Sequence, residues 1–408
     1  MGSEPGVGLV RRLQLWAIAR LRRSRFLPVG IPDKQTDQHR LGRAFRQEIL
    51  VYFPTGQDSL YQLRPWYHAL AELDAAHSVV VVFKDSRTAA VVASESSLDC
   101  VTLANYGQLD AILAASDVKL ALYVNQDPIN FECLRFTSLV HAYLGHGDSE
   151  KTVFVSNQIK AYDYYFVAGQ SAVDRVAGQV MLYDAAERCL QIGQPQLDAV
   201  SLPAVPPARP TVLYAPTWEG AQPSVAYGSL VSHGQALVES ILADGDLDLI
   251  YRPHPFTGNI DPTFSAADAA IRARVTAAGQ RVDVKGTLGA AIAHASILIT
   301  DISAVTSFWL PTGRPLIVTE PADAKARATP EGISSKLPRL ASANAGNAAA
   351  IVKQLLANPP DYSGFVEHHL GDVRPGAATK RFIAACSLVI AERDDAWAAL
   401  RKHGATGP

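Results

Sequence analysis

The sequence predicts an α/β fold of two doubly wound, Rossmann-like domains with an interdomain cleft and a C-terminal closing helix. Short, uniformly apolar runs rich in β-branched residues alternate with helix-like segments, as parallel strands covered on both faces require. The stretch LPAVPPARP at 202–210 divides that alternation into two series and reads as a linker or rigid loop. At 408 residues the chain has room for two domains of ordinary size.

In the first series the expected strands are EILVYF at 48–53, SVVVVF at 78–83, KLALYV at 119–124, SLVHAYL at 138–144 and DYYFVAG at 163–169. Ser59 to Leu73 and Gly107 to Ala115 supply helices between them. The second series runs TVLYAPT (211–217), LDLIYRP (247–253), QRVDVKG (280–286), ASILITD (295–301) and RPLIVTE (314–320), with a helix expected from Gly228 to Leu242. Ala377 to Lys402 lacks Gly and Pro and carries apolar residues at helical spacing, which predicts one long helix. The expected organisation is therefore a basic segment at 1–27, a first Rossmann-like domain at 28–200, a second at 201–375, and a helix at 376–408 returning toward the first domain. Open α/β sheets bind ligands beyond the carboxyl ends of their strands, so the active site is expected between the domains.

Composition excludes several classes. With 48% hydrophobic and 19% charged residues the chain is neither disordered nor fibrous. A formal net charge of −2 gives no polycationic field for nucleic acid. Cys100, Cys133, Cys189 and Cys386 are too dispersed for a disulfide framework or a paired zinc site, which fits a reducing cytoplasm. No apolar run has the length of a membrane-spanning helix. Residues 1–50 hold 10 Lys and Arg against 4 Asp and Glu, a balance of +6. Between Arg11 and Arg25, arginines interleave with Leu13, Trp16, Ala17 and Leu21. Two readings stand: an interfacial helix on the anionic inner face of the cell membrane, and a solvated helix packed on its own domain.

The GK[ST] phosphate loop, GxGxxG, HExxH and GxSxG are all missing. Asp244, Asp246 and Asp248 precede a strand, away from the ligand end, and read as a solvated turn. Four strand ends remain. In SLVHAYLGHGDSEK, Gly145 and Gly147 flank His146, and Lys151 follows. An imidazole exposed at such a turn suits proton abstraction from an alcohol near neutral pH, although a hydrogen-bonded structural histidine fits equally well. VLYAPTWEG presents the Thr217 hydroxyl, and LIYRPHP brackets Arg252 and His254 with prolines at a strand mouth, where fixed cations suit a diphosphate. ILITDISAVTSFWL passes through Thr300, Asp301 and Ser303 into a helix, which Asp301 or Ser303 is placed to cap and whose first amides suit an anion.

Taken in order, HGDSEK, GQPQLD at 193–198, YAPTW, RPHP and TDISAV resemble the CDP-glycerol glycerophosphotransferase family of teichoic acid and capsule polymer primases and polymerases, over about residues 138–320. The resemblance implies the GT-B fold and transfer of glycerol phosphate or a related polyol phosphate from a CDP-linked donor to a lipid-linked or polymer acceptor, with release of CMP. It implies His146 as the base on the acceptor hydroxyl, His254 as a ligand or proton donor to the donor phosphates, and Thr217, Thr300, Asp301 and Ser303 around the diphosphate. Arg252 and Lys151 join them from charge and position, Lys151 on the acceptor side. No metal or other cofactor is expected. The sequence departs from the family at Glu219, where arginine is usual, at Ala304, where a second serine is usual, and at Phe308, where aspartate is frequent. These departures keep two alternatives in view, a GT-B glycosyltransferase using a nucleotide sugar and a catalytically silent binding module at the membrane.

Overall fold

The computed structural model describes residues 44–104, 106–147, 155–199, 209–220, 223–323, 325–326 and 332–402. The basic segment containing Arg11–Arg25, Lys151, and residues 202–208 of the proline-rich stretch lie outside them.

The expected strands form where the sequence is apolar without alternation. β1 (Ile49–Phe53) and β2 (Val79–Phe83) are buried at every position. β3 (Asp99–Thr102), β4 (Leu120–Tyr123), β5 (Val140–Tyr143), β6 (Tyr164–Val167) and β7 (Cys189–Gln191) complete a seven-stranded sheet of order β3-β2-β1-β4-β5-β6-β7. A second sheet contains β8 (Thr211–Ala215), β9 (Asp248–Tyr251), β10 (Arg281–Val282), β11 (Ile297–Thr300), β12 (Leu316–Thr319) and β13 (Arg339–Leu340), ordered β10-β9-β8-β11-β12-β13. The registered pairs in both are parallel. Each order reverses once, beside β1 in the first sheet and beside β8 in the second, which is the doubly wound arrangement the sequence predicts.

The helices used below are α1 (Tyr67–His77), α2 (Ser86–Glu95), α3 (Tyr106–Ala114), α4 (Gln170–Gln179), α5 (Gln235–Asp244), α6 (Pro262–Ala277), α7 (Leu288–Ala293), α8 (Ala304–Trp309), α9 (Ala348–Ala357), α10 (Ser363–Leu370) and α11 (Ala377–Lys402). In the second sheet, strand pleating sorts the core into two layers. Val212 and Tyr214 of β8 face Leu237, Ile241, Val275 and Val352 of α5, α6 and α9. Leu213 and Ala215 face Ile292, Trp309 and Leu370 of α7, α8 and α10. Local caps fix helix starts: Asp85 accepts from the Arg87 amide at α2, and Asp261 accepts from Thr263 ahead of Pro262 at α6. Asp244 and Asp246 both pair with Lys353, at 2.7 and 3.0 Å, so these carboxylates brace a surface turn. Among the described residues no helix is long and apolar enough to cross a membrane.

Two compact units emerge, one containing Met1–His146, Lys160–Phe166 and Ile383–Pro408, the other Gly147–Ile159 and Val167–Phe382. Within the first unit, α11 is tied to the amino-terminal edge of the sheet by a polar relay. His77 contacts Glu48 Oε2 at 2.8 Å through Nδ1 and Ser387 Oγ at 2.6 Å through Nε2. Lys119 bridges Glu48 Oε1 (3.1 Å) and Asp394 (2.7 Å). Burial pushes the Glu48 carboxyl up, but hydrogen bonds from His77 and Lys119 outweigh it and leave the group below its ordinary value. Ser387 also donates to the Ile383 carbonyl within its helix, so this serine–histidine–glutamate chain braces a helix against a sheet. His77→Ala is expected to cost about 1–2 kcal/mol by removing both hydrogen bonds, measured by urea unfolding. Because a lowered Glu48 stabilises the fold above its unfolded titration range and loses that contribution as pH falls, the variant is also expected to lose stability less steeply in acid.

Candidate functional site

In the second unit, three strand-end loops are tied together by one carboxylate. Asp301, directly after β11, is completely buried. Its Oδ2 accepts the Thr217 amide beyond β8 (2.7 Å) and the Ser229 amide (3.1 Å), and its Oδ1 accepts the Thr319 hydroxyl at the end of β12 (2.5 Å). Burial raises the carboxyl above its ordinary 3.8, opposed by hydrogen bonds from Ser229, Thr319 and the Thr217 amide. Thr300 is equally enclosed and donates to the Ala215 carbonyl at 2.7 Å. Asp301 and Thr300 thus act through the loops they hold. Of the two residues expected to cap α8 it is Ser303 that does so, accepting the Val305 amide at 3.3 Å while lying 3.3 Å from Thr300 Oγ1.

The loop after β9 is the second component. Arg252 does not stand as an open cation: its Nη1 donates to Asp283 Oδ2 (2.6 Å) and to the Gly286 carbonyl (2.8 Å). That pairing, together with Arg281, outweighs burial and holds Asp283 below the ordinary carboxylate range. Arg252 therefore braces the loop base, a part that a sequence reading of its charge missed because Asp283 lies 31 residues on. His254 is half-buried. Its ring stacks on Trp218 with centroids 6.3 Å apart and planes 24° apart, and Phe256 meets it edge-on. The Phe256 amide donates to His254 Nδ1 at 3.1 Å. A backbone hydrogen fixed in that direction needs a lone pair on Nδ1, so the ring proton sits on Nε2.

The histidine of the first series follows β5 between two glycines. In the first unit, the Gly145 carbonyl accepts from buried Trp66 Nε1 at 2.9 Å, and the His146 ring meets Tyr61 edge-on at 5.9 Å. In the second unit, Gly147 has φ +148° and packs on α8: a Cβ there would lie 2.9 Å from the Phe308 ring and 3.2 Å from the Ala304 methyl. Ala304 and Phe308 thus form the surface on which this glycine rests. GQPQLD also acquires a structural reading, since Asp198 accepts the Thr379 amide at 2.7 Å in the first turn of α11.

The second unit also has an open depression of about 700 Å³ lined by Leu310, Gly313, Tyr362 and Arg374. Leu310–Gly313 lie between α8 and the start of β12, at the amino-terminal edge of the sheet, away from the motif loops.

The motif loops now fall within one recognisable segment. Residues 144–329 match the CDP-Glycerol:Poly(glycerophosphate) glycerophosphotransferase family. That matched segment contains His146, Thr217, Arg252, His254, Thr300, Asp301 and Ser303, and the resemblance read from the motifs is borne out. No curated protein matches the chain. Among solved structures, the wall teichoic acid polymerase TagF in a crystal soaked with CDPG aligns over 96% of this chain and 99% of its own, with 13% identity and a TM-score of 0.56. A putative UDP-N-acetylglucosamine 2-epimerase from Listeria monocytogenes aligns over 84% of this chain and 96% of its own at 15% identity, TM-score 0.56. The S. aureus MnaA–UDP co-structure aligns over 83% and 95% at 14%, TM-score 0.54. At these identities the likeness is one of fold, and the fold is the GT-B type.

Asp301→Ala is expected to cost about 2–4 kcal/mol, because it strands the buried Thr217 and Ser229 amides. Asp301→Asn should cost less, since one amide oxygen accepts both amides. A raised carboxyl pKa means the folded chain holds a proton that the unfolded chain releases, so the group's contribution to stability falls as pH rises above about 3.8. Chemical denaturation across pH should show that slope flattened in Asp301→Asn.

Proposed function

We propose that this protein transfers glycerol phosphate, or a closely related polyol phosphate, from a CDP-linked donor to the hydroxyl of a lipid-linked or polymeric acceptor at the cytoplasmic membrane face. The observation that carries this reading is the family match over the segment whose strand-end loops are knotted at Asp301. His146 takes the acceptor hydroxyl proton. The resulting oxygen attacks the β-phosphorus of the donor, a new P–O bond forms, and the anhydride bond to CMP breaks. Such a transfer gains chiefly from positioning and from stabilising charge on the phosphoryl oxygens.

His254 supplies that stabilisation as a hydrogen-bond donor. With Nδ1 accepting the Phe256 amide, the ring's hydrogen is on Nε2, the tautomer that donates rather than accepts toward a phosphate oxygen. Protonating the leaving group would leave an anionic ring, so binding is the assigned role. Ser303 lines the diphosphate on the loops that Asp301 and Thr300 hold, while Thr217, expected from the sequence to present its hydroxyl, is buried and supports that loop through its amide, and Arg252 braces from below. Lys151 is assigned to the acceptor side. Basic residues between Arg11 and Arg25 favour an anionic membrane surface.

CMP release from CDP-glycerol with a phosphoglycerol or lipid-linked acceptor tests the reading. His146→Ala and His254→Ala are each expected to slow it by about 10²-fold or more. Full activity in His146→Ala removes the base assignment. In thermal-shift measurements CDP-glycerol should raise the melting temperature more than UDP-N-acetylglucosamine does, because a ligand of the native state stabilises it in proportion to its affinity. The reverse order would replace the polyol-phosphate donor with a nucleotide sugar.

A further inference from the structure

Glu219 follows Trp218 in the loop beyond β8, and its surroundings show what the carboxylate does. It is 5% exposed. Oε2 accepts the Gly258 amide at 2.9 Å, and Oε1 accepts the amides of Ile260 (2.8 Å) and Asp261 (3.2 Å). Burial pushes its pKa up, but these amides outweigh burial and hold the group below the usual carboxylate range. The amides belong to the loop that begins at His254. Within it the Thr257 amide donates to the His254 carbonyl at 3.0 Å and the Asn259 amide to Phe256 at 3.2 Å, while Asp261 caps α6. Gly258 adopts φ +79° with a would-be Cβ 2.6 Å from Ser265, so the turn is too tight for a side chain. The preceding residue, Trp218, stacks on the His254 ring.

We propose that Glu219 is the positioning residue for His254: its carboxylate grips the loop at Gly258, Ile260 and Asp261 while Trp218 stacks on the ring, and together they fix the orientation in which Nδ1 accepts the Phe256 amide and the ring hydrogen lies on Nε2. A cationic side chain here would set donors against three amide donors, so the loop needs an acceptor at this position. The proposal rests on His254 being a donor-phosphate ligand.

The test uses the full chain with ¹⁵N-labelled histidine. In the wild type, His254, assigned by difference from His254→Ala, should show the Nε2–H tautomer, and the amides of Gly258, Ile260 and Asp261 should be protected from hydrogen exchange. Free exchange at those three amides overturns the proposal without any variant. Glu219→Gln replaces one acceptor oxygen by a donor, and it is expected to mix the His254 tautomers and weaken CDP-glycerol binding in calorimetry by about 10²-fold, the scale of loss for a misplaced site group. Glu239→Gln, on the exposed face of α5, should leave the His254 signals unchanged. A folded Glu219→Gln protein with wild-type His254 signals overturns the proposal. If wild-type protein fails to bind CDP-glycerol but the tautomer still shifts in Glu219→Gln, the donor assignment fails and the clamp stands.

Discussion

A single enclosed carboxylate holds together the loops at the carboxyl ends of the second unit's strands. Beyond the sheet the strand ladder no longer holds the chain, so each strand-end loop needs other hydrogen bonds to stay where it is. Asp301 supplies them to three of these loops, by accepting from Thr217, Ser229 and Thr319 at once. Enclosing a carboxylate is costly unless it is hydrogen-bonded, so the group is tolerable only while all three loops are in place. That reciprocity makes the edge cooperative, and it couples residues that are distant in sequence but share the sheet's reversal point between β8 and β11.

Around this knot, polar residues in motifs divide into those that hold and those that present. Thr300, Arg252 and Asp198 all spend hydrogen bonds on backbone or on another side chain. His254 is different, because its backbone contact fixes a tautomer and leaves the other ring nitrogen defined as a donor. Ser303 lies between the two groups, capping α8 while remaining half-exposed. Chemical type alone does not separate these classes, since an arginine in RPHP and an aspartate in TDIS are both plausible phosphate-site residues until their partners are known.

The sequence made the strands legible because burial on both faces leaves no room for polar residues, as VVVVF in β2 illustrates. The short edge strands β3, β7 and β13 escaped, for each is two to four residues long with polar positions such as Asp99, Gln191 and Arg339. The motif loops were visible as Gly and Pro punctuation after apolar runs. Invisible were the pairings that assign roles: Arg252 with Asp283, Thr379 with Asp198, and the amides gathered by Glu219. A hydrogen bond from a side chain to a distant backbone leaves no trace in residue type, and Glu219 accordingly read as a defect in a pattern when it is a fastening.

That fastening constrains how the chain can change. Reversing the charge at position 219 alone would lose the acceptor for a turn whose backbone already depends on Gly258, while reshaping that turn alone would leave an enclosed anion with nothing to receive. Neither change is neutral before the other, so a chain that alters one must pass through a weakened intermediate or change both places together. Descendants of this sequence should therefore inherit the glutamate and the 258–261 turn as one unit.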